Sequence, residues 1–360
     1  MASISTQTIL QALTKVQDPD LHKDIVSLNM VKDISIEGDK ISFTVELTTP
    51  ACPMKEKIQN EAIQAVKEAT GSSNIQVNMT AQVTGRGVGN ISLPGVKNTI
   101  AVASGKGGVG KSTVAVNLAI ALAKFGAKVG LIDADIYGPS IPMMFDVVNE
   151  KPMVDGKRLI PIEKYGIKLM SIGFMVDPGQ AVVWRGPMAS SALRQFITDT
   201  EWGDLDYLIL DLPPGTGDIQ LTLVQTIPLT GSVIVTTPQD VALSDAIKGI
   251  AMFKNVNVPC LGVIENMSYF ICSHCGEREE IFSYGGGQKT AANINVPFLG
   301  EVPIGTNIRV SGDKGIPLGI SEPDSIQAKV FSEIASKLAQ QVAIRNSDGV
   351  ASKPVEILFK

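Results

Sequence analysis

Gly105-Lys106-Gly107-Gly108-Val109-Gly110-Lys111-Ser112-Thr113 is the stretch that decides the fold. It matches GxxxxGK[ST] at Gly105, Gly110, Lys111 and Ser112, behind the apolar run 100–103 and ahead of a helical pattern over 112–125. Strand, glycine loop and helix in that order are the context this spacing needs. Glycines let backbone N–H groups converge on phosphate oxygens, and the helix N-terminus adds partial positive charge. Gly105, Lys106, Gly107, Gly108, Val109, Gly110, Lys111, Ser112 and Thr113 therefore read as a cradle for a nucleoside triphosphate such as ATP. Lys111 is placed for the β- and γ-phosphates, Ser112 for Mg²⁺ and Thr113 for the α-phosphate.

Outward from this loop, short apolar runs recur at 100–104, 127–133, 207–212, 232–237 and 260–266, separated by helical stretches. Continuous apolar runs suit strands buried on both faces. Their alternation with helices implies an α/β domain, a P-loop NTPase with a mostly parallel, doubly wound sheet. A final amphipathic helix is marked by Ile326, Val330, Ile334 and Leu338.

The preceding segment has a different rhythm. Ile9, Leu10, Leu13 and Val16 share a helical face, and Asp18-Pro19-Asp20-Leu21 ends it. Strand alternation follows at Ile34 and Ile36 and again at Ile41, Phe43, Val45 and Leu47, with a hairpin turn at Glu37-Gly38-Asp39. Pro53 suits a first helical turn, and Met54, Ile58, Ala62 and Val66 continue at helical spacing up to a stop at Gly71. Ile75, Val77 and Met79 close the segment as a strand. The expected organisation is a small α+β domain over 1–82, a glycine-rich linker over 83–97, the ATPase domain over 98–345 and a flexible tail over 346–360.

Composition excludes several classes. The net charge of −5 argues against a global nucleic-acid surface. No apolar run is long enough for a membrane span, and the N-terminus has no signal-peptide pattern. Four cysteines in 360 residues make no disulfide framework, so a reducing cytoplasm is expected. Neither nucleic acid nor membrane is an expected partner.

Two apolar runs end in carboxylates. The run 127–133 ends in Asp133 and leads to Asp135. The run 207–212 carries Asp211 ahead of Pro213-Pro214-Gly215-Thr216-Gly217-Asp218. At the carboxyl ends of parallel strands, a carboxylate holds Mg²⁺ or orients an attacking water. Asp133 reads either as a strand-end cap or as part of the metal shell.

Cys272-Ser273-His274-Cys275-Gly276 supplies two thiolates at metal-ligand spacing. Four ligands are the usual demand, and there is no second CxxC. A symmetric dimer completes the set, around a bridging [4Fe–4S] cluster or a bridging Zn²⁺. A redox pair and a merely structural pair of thiols are the other readings. Cys52, at a loop-to-helix junction, reads either as a thiol activated by the helix N-terminus or as a half-buried structural cysteine. Cys260 reads as core.

Two resemblances follow from these residues. The extra lysine at Lys106 resembles the deviant Walker A ATPases, which include MinD, ParA, the arsenite-pump ATPase and the nitrogenase iron protein. That resemblance implies a nucleotide-sandwich homodimer with Lys106 reaching the partner's nucleotide. It also implies Asp135 as the switch I residue that positions water, Asp211 as the Walker B aspartate on the Mg²⁺ shell, Gly215 as a γ-phosphate sensor and Asn266 at the adenine edge. GKGGVGKST together with DADIYGPS, DLPPGTGD and NMSYFICSHCG is similar to the Mrp/ApbC subfamily of iron–sulfur cluster carriers. The first 80 residues, through Gln17-Asp18-Pro19-Asp20 and Thr48-Thr49-Pro50-Ala51-Cys52-Pro53, resemble a SufT-like iron–sulfur assembly domain. The implied partners are apo iron–sulfur proteins and the cluster assembly machinery, and Cys52 becomes a possible relay. A MinD- or ParA-like spatial regulator and an ATP-driven electron carrier are the alternatives. The first is disfavoured because no basic amphipathic helix or basic patch is evident and because neither type requires a CxxC.

Overall fold

The structure, a computed structural model, describes residues 5–85, 93–175, 186–272 and 274–347. Parts of the expected linker (86–92) and tail (348–360) lie outside the described residues. The chain divides into two compact units, one running to Thr84 with a contribution from Ala343 onward, the other spanning Gly85–Val342.

In the first unit, helix α1 (Thr6–Leu13) starts at Ser5, whose hydroxyl accepts the Thr8 N–H. Strands β1 (Val31–Glu37) and β2 (Lys40–Leu47) form the antiparallel hairpin, turning at Gly38 with φ +63°. Helix α2 (Lys55–Thr70) stops at Gly71 in the left-handed conformation, and strand β3 (Asn74–Ala81) returns parallel to β2. Ile9, Leu13, Ile41, Phe43, Val45, Ile58 and Val66 are buried together as the core of this unit. Pro53 precedes α2 by two residues rather than sitting in its first turn.

The second unit is built on one sheet. Strand β4 (Val96–Ala103) leads through the glycine loop to helix α3 (Lys111–Lys124). Then follow β5 (Val129–Asp133), β6 (Ile167–Ser171), β7 (Leu205–Asp211), helix α4 (Asp218–Thr226), β8 (Gly231–Thr236), β9 (Cys260–Ile271), β10 (Arg278–Glu279), helix α5 (Gly286–Asn293) and β11 (Phe298–Ile304). The order across the sheet is β6-β5-β7-β4-β8-β9, with β10 and β11 both pairing β9 and the short strand Ile162–Lys164 outside β6. The pairs are parallel, except that β10 and Ile162–Lys164 run antiparallel to their neighbours. β4 is therefore where the strand order reverses, and the crevice at its carboxyl end is where ligands bind in such sheets.

The linker expectation needs correction at its far end. Leu93 is buried in the core of the second unit, and Val96 already pairs with Leu205. β6 and β11 escape an apolar-run reading because Lys168 and the Gly300-Glu301 pair interrupt them. Lys168 reaches out of the sheet to donate to the Trp202 carbonyl at 2.9 Å. No helix among the described residues is long and apolar enough to cross a membrane.

Candidate functional site

The glycine loop emerges from β4 with its backbone wound tightly. Gly110 caps α3 at φ +79°, where a Cβ would come within 2.2 Å of the Asn266 amide nitrogen. Gly105 faces the backbone of Asp245 at a similar 2.2 Å, a contact that no side-chain rotation relieves. Asn266 donates Nδ2 to the Val109 carbonyl at 2.8 Å, so the loop is held from β9 as well as from its own helix. The Gly215 N–H donates to the Ser104 carbonyl at 2.9 Å, which fixes the loop after β7 against the base of the glycine loop. Lys106 is half-buried, and its ammonium makes no ion pair with any described residue.

Lys111 is the hub of the charged cluster. Only 6% exposed, its Nζ lies 2.6 Å from Asp211 Oδ1, 3.8 Å from Asp135 Oδ2 and 3.3 Å from the Ser112 hydroxyl. Register explains the crowding, because Asp211 and Asp133 are direct partners at the ends of β7 and β5. Burial and then the neighbouring Asp211 charge push Asp133 up to about 7. Burial likewise raises Asp211, opposed by the Lys111 charge.

Asp133 accepts hydrogen bonds from the Asp135 and Ile141 N–H groups and from the Ser171 hydroxyl. It therefore caps the loop leaving β5, which is the first of its two sequence readings. Asp211 Oδ2 is different, being buried and without a hydrogen-bond partner. A hard cation suits such a vacant carboxylate oxygen beside a serine hydroxyl.

Next to the loop lies a cavity of about 640 Å³, lined by Gly110, Thr113, Met143, Asn266, Met267 and Ile308 among others. Its mostly apolar wall with a few polar atoms suits a flat heterocycle.

The cysteine pair sits at the tip of a hairpin between β9 and β10. Cys272 donates its N–H to the Glu277 carbonyl at 2.9 Å, and Gly276, at φ +74°, donates to the Cys272 carbonyl at the same distance. The N–H groups of Cys275 and then of His274 converge on the Cys272 sulfur and hold its thiol below the usual range. Cys275 is exposed. Among the described residues no group of three or more His, Cys, Asp or Glu is arranged to hold a metal ion within one chain.

The other two thiols differ from the pair. Burial raises Cys52, and the charges of Asp20 and Asp18 add to it, which opposes the activated one of its two readings. Cys260 is pushed up to about 11 by burial and packs against the core, as read from the sequence.

Comparison with known proteins agrees with this architecture. Residues 95–339 match the model described as ParA, NUBPL iron-transfer P-loop NTPase. The chain belongs to this family. Residues 6–79 match the iron–sulfur cluster assembly protein domain. An iron-sulfur cluster carrier protein of Synechocystis sp. is 48% identical over 95% of this chain and 99% of its own length. The iron-sulfur cluster transfer protein NUBPL of Dictyostelium discoideum is 47% identical over 85% of this chain and 96% of its own. Among solved structures, a nucleotide-binding protein of Archaeoglobus fulgidus in complex with ADP is 40% identical, with a TM-score of 0.57 over 65% of this chain and 91% of that one. For a member of the NUBPL iron-transfer P-loop NTPase family, both the glycine loop and the cysteine hairpin fall within the matched region.

Motif reading passed over Ser171, which donates to Asp133, and Glu265, which accepts the Gly285 and Gly287 N–H groups beside Asn266. Glu265 carried a signal, a carboxylate at the end of an apolar strand run.

Two outcomes follow from these charges. Lys111→Ala removes the cation from a buried carboxylate cluster and should destabilise the nucleotide-free protein by about 3–5 kcal/mol at pH 8. The folded value of Asp133 lies above its unfolded one. The folded chain thus holds a proton between about pH 4 and 7 that the unfolded chain releases, and this stability is lost as pH rises through about 7. The cost of Lys111→Ala should therefore shrink at pH 5.5, measured by urea unfolding followed through the buried Trp202. A cost independent of pH contradicts the cluster. In iodoacetamide labelling of the metal-free protein at pH 7.5, Cys272 should react at least ~10-fold faster than Cys52 or Cys260. Faster labelling of Cys52 contradicts the order.

Proposed function

We propose that the chain is an ATP-dependent carrier of iron–sulfur clusters, working as a homodimer that bridges a [4Fe–4S] cluster between subunits. The observation that carries this reading is the pairing, within one unit, of a phosphate cradle backed by Lys111, Asp135 and Asp211 with a hairpin presenting Cys272 and Cys275. The names of the Synechocystis and Dictyostelium relatives, and the ADP in the Archaeoglobus structure, support it.

In the nucleotide-free chain, Lys111 is neutralised by Asp211. Incoming phosphates offer the ammonium a stronger partner, and Lys111 turns to the β- and γ-phosphates. Asp211 and Ser112 are the residues that would hold Mg²⁺, which would supply charge neutralisation to the phosphates. Asp135 orients the water whose oxygen attacks the γ-phosphorus, as the bond to the ADP oxygen breaks. Lys106, which pairs with no carboxylate among the described residues, neutralises charge on the partner's nucleotide, as an arginine finger does. Asn266 and the adjoining cavity receive the adenine.

The cluster is cargo. Two thiolates per chain require a second chain for four, and the N–H groups aimed at Cys272 favour the thiolate form. An exposed Cys275 leaves the cargo accessible to an acceptor. Apo iron–sulfur proteins are the recipients in this reading, and the assembly-type unit contacts the machinery that loads the carrier, in the cytoplasm. Its raised Cys52 thiol suits a relay only after a partner or metal displaces the proton.

Anaerobic reconstitution tests this. About four iron and four sulfide per dimer are expected, both lost in Cys272→Ser while ADP affinity stays within about twofold. One zinc per dimer with no sulfide retained overturns the cluster assignment.

A further inference from the structure

Between the phosphate loop and the cysteine turn runs a single stretch of β9, and its geometry is irregular. Asn266 pairs with Val302 of β11, but the next paired residue is Phe270 with Ile304, so β9 carries two extra residues over that span. Met267, inside this bulge, takes a left-handed φ of +55°, a conformation that costs a residue other than glycine about 1 kcal/mol or more. Bulges re-aim side chains, and this one separates four of them. Asn266 grips the Val109 carbonyl and Met267 lines the cavity beside Gly110. Ser268 donates to Glu265 Oε1 at 2.6 Å and lies 3.2 Å from Glu301 Oε2. Tyr269 lies under the Arg278 guanidinium, 3.8 Å from Cζ to the ring centre.

Arg278 completes the chain of contacts. It follows the cysteine turn by three residues and pairs with Ile271, the residue before Cys272. Its guanidinium meets the rings of both Tyr269 and Tyr284, the second at 4.5 Å, and donates to Glu301 at 3.2 Å. Glu265 in turn is wholly buried and accepts the Gly285 and Gly287 N–H groups at the start of α5. The hairpin that carries the thiols is thus clamped to the bulge that also holds the nucleotide loop.

We infer that Arg278 is a positioning residue that couples the nucleotide loop to the cysteine turn, through Tyr269, Glu301 and Ser268 on the β9 bulge. This rests on the proposed function for its purpose, the control of cluster release by nucleotide. Its physical content is narrower: occupancy at the glycine loop shifts the bulge, and the bulge shifts the presentation of Cys272 and Cys275. Guanidinium chemistry matters here, because a lysine ammonium lacks the planar face that meets the aromatic rings and the fork that at the same time donates to Glu301.

The test uses the metal-free full-length protein, so it does not depend on cluster chemistry. Peptide-resolved iodoacetamide labelling of Cys272 and Cys275 is timed with no nucleotide and with saturating Mg-ADP. In the wild type, nucleotide should change the rate by about threefold or more. In Arg278→Ala that response should vanish, while ADP affinity and the labelling of Cys52 stay within about twofold. Arg278→Lys should recover less than half of the response. Ser268→Ala, which leaves the hairpin sequence intact, should also reduce it and guards against simple misfolding of the Arg278 variant. A wild-type rate unmoved by nucleotide, or a full response in either Arg278→Ala or Ser268→Ala, overturns the coupling. Loss of iron binding with coupling intact would instead defeat the carrier reading alone.

Discussion

A buried ammonium among carboxylates is the constraint on which the site depends. Parallel pairing of β5 and β7 makes Asp133 and Asp211 neighbours at the strand ends, wholly out of water. Two such carboxylates repel each other and lack solvation. Lys111, 6% exposed at the first position of α3, is the group that makes their proximity tolerable. The glycine loop must therefore be shaped to deliver Lys111 to that point, which links phosphate recognition to the stability of the carboxylate cluster. The arrangement is also poised. A second strong acceptor for Lys111 frees Asp211, whose Oδ2 already lacks a partner. One group thus serves two states, and the exchange between them is a local source of the structural change that nucleotide binding can drive.

Strand β9 divides its residues between two tasks. Five residues of β9, Leu261 to Glu265, lie buried in the sheet, and the two-residue bulge beyond them turns successive side chains to different tasks. Asn266 serves the nucleotide loop. Ser268 and Tyr269 serve the hairpin that ends in the thiols. A regular strand would send alternate residues to the same face and would not reach both sites. The strain at Met267 is what this dual use requires, and it sits between the two sites.

Much of this was legible in the sequence, for physical reasons that differ by residue. The glycine loop was readable because phosphate cradles demand particular residues at fixed spacing. The central strands were readable because burial on both faces forbids polar interruption. β6 and β11 were not, because Lys168 and Glu301 carry their charge out of the sheet into specific contacts that local sequence does not announce. Cys52 was open to two readings for a related reason. Proximity to a helix start was visible, but burial and the nearby Asp18 and Asp20, which outweigh it, arise from the fold. The Arg278 clamp needs the register of β9, β10 and β11 together, so no motif could disclose it. Asn266 was singled out by resemblance to a nucleotide-binding position, and the geometry adds its grip on the Val109 carbonyl.

In the proposed carrier, two chains share one cluster through Cys272 and Cys275. Native mass spectrometry of the anaerobically loaded protein addresses it most directly, because it counts chains and cluster atoms in the same ion. A dimer carrying a single [4Fe–4S] unit, reduced to cluster-free species in Cys275→Ser, is the expected result. A cluster carried by the monomer, or retained by the Cys275→Ser dimer, would contradict it.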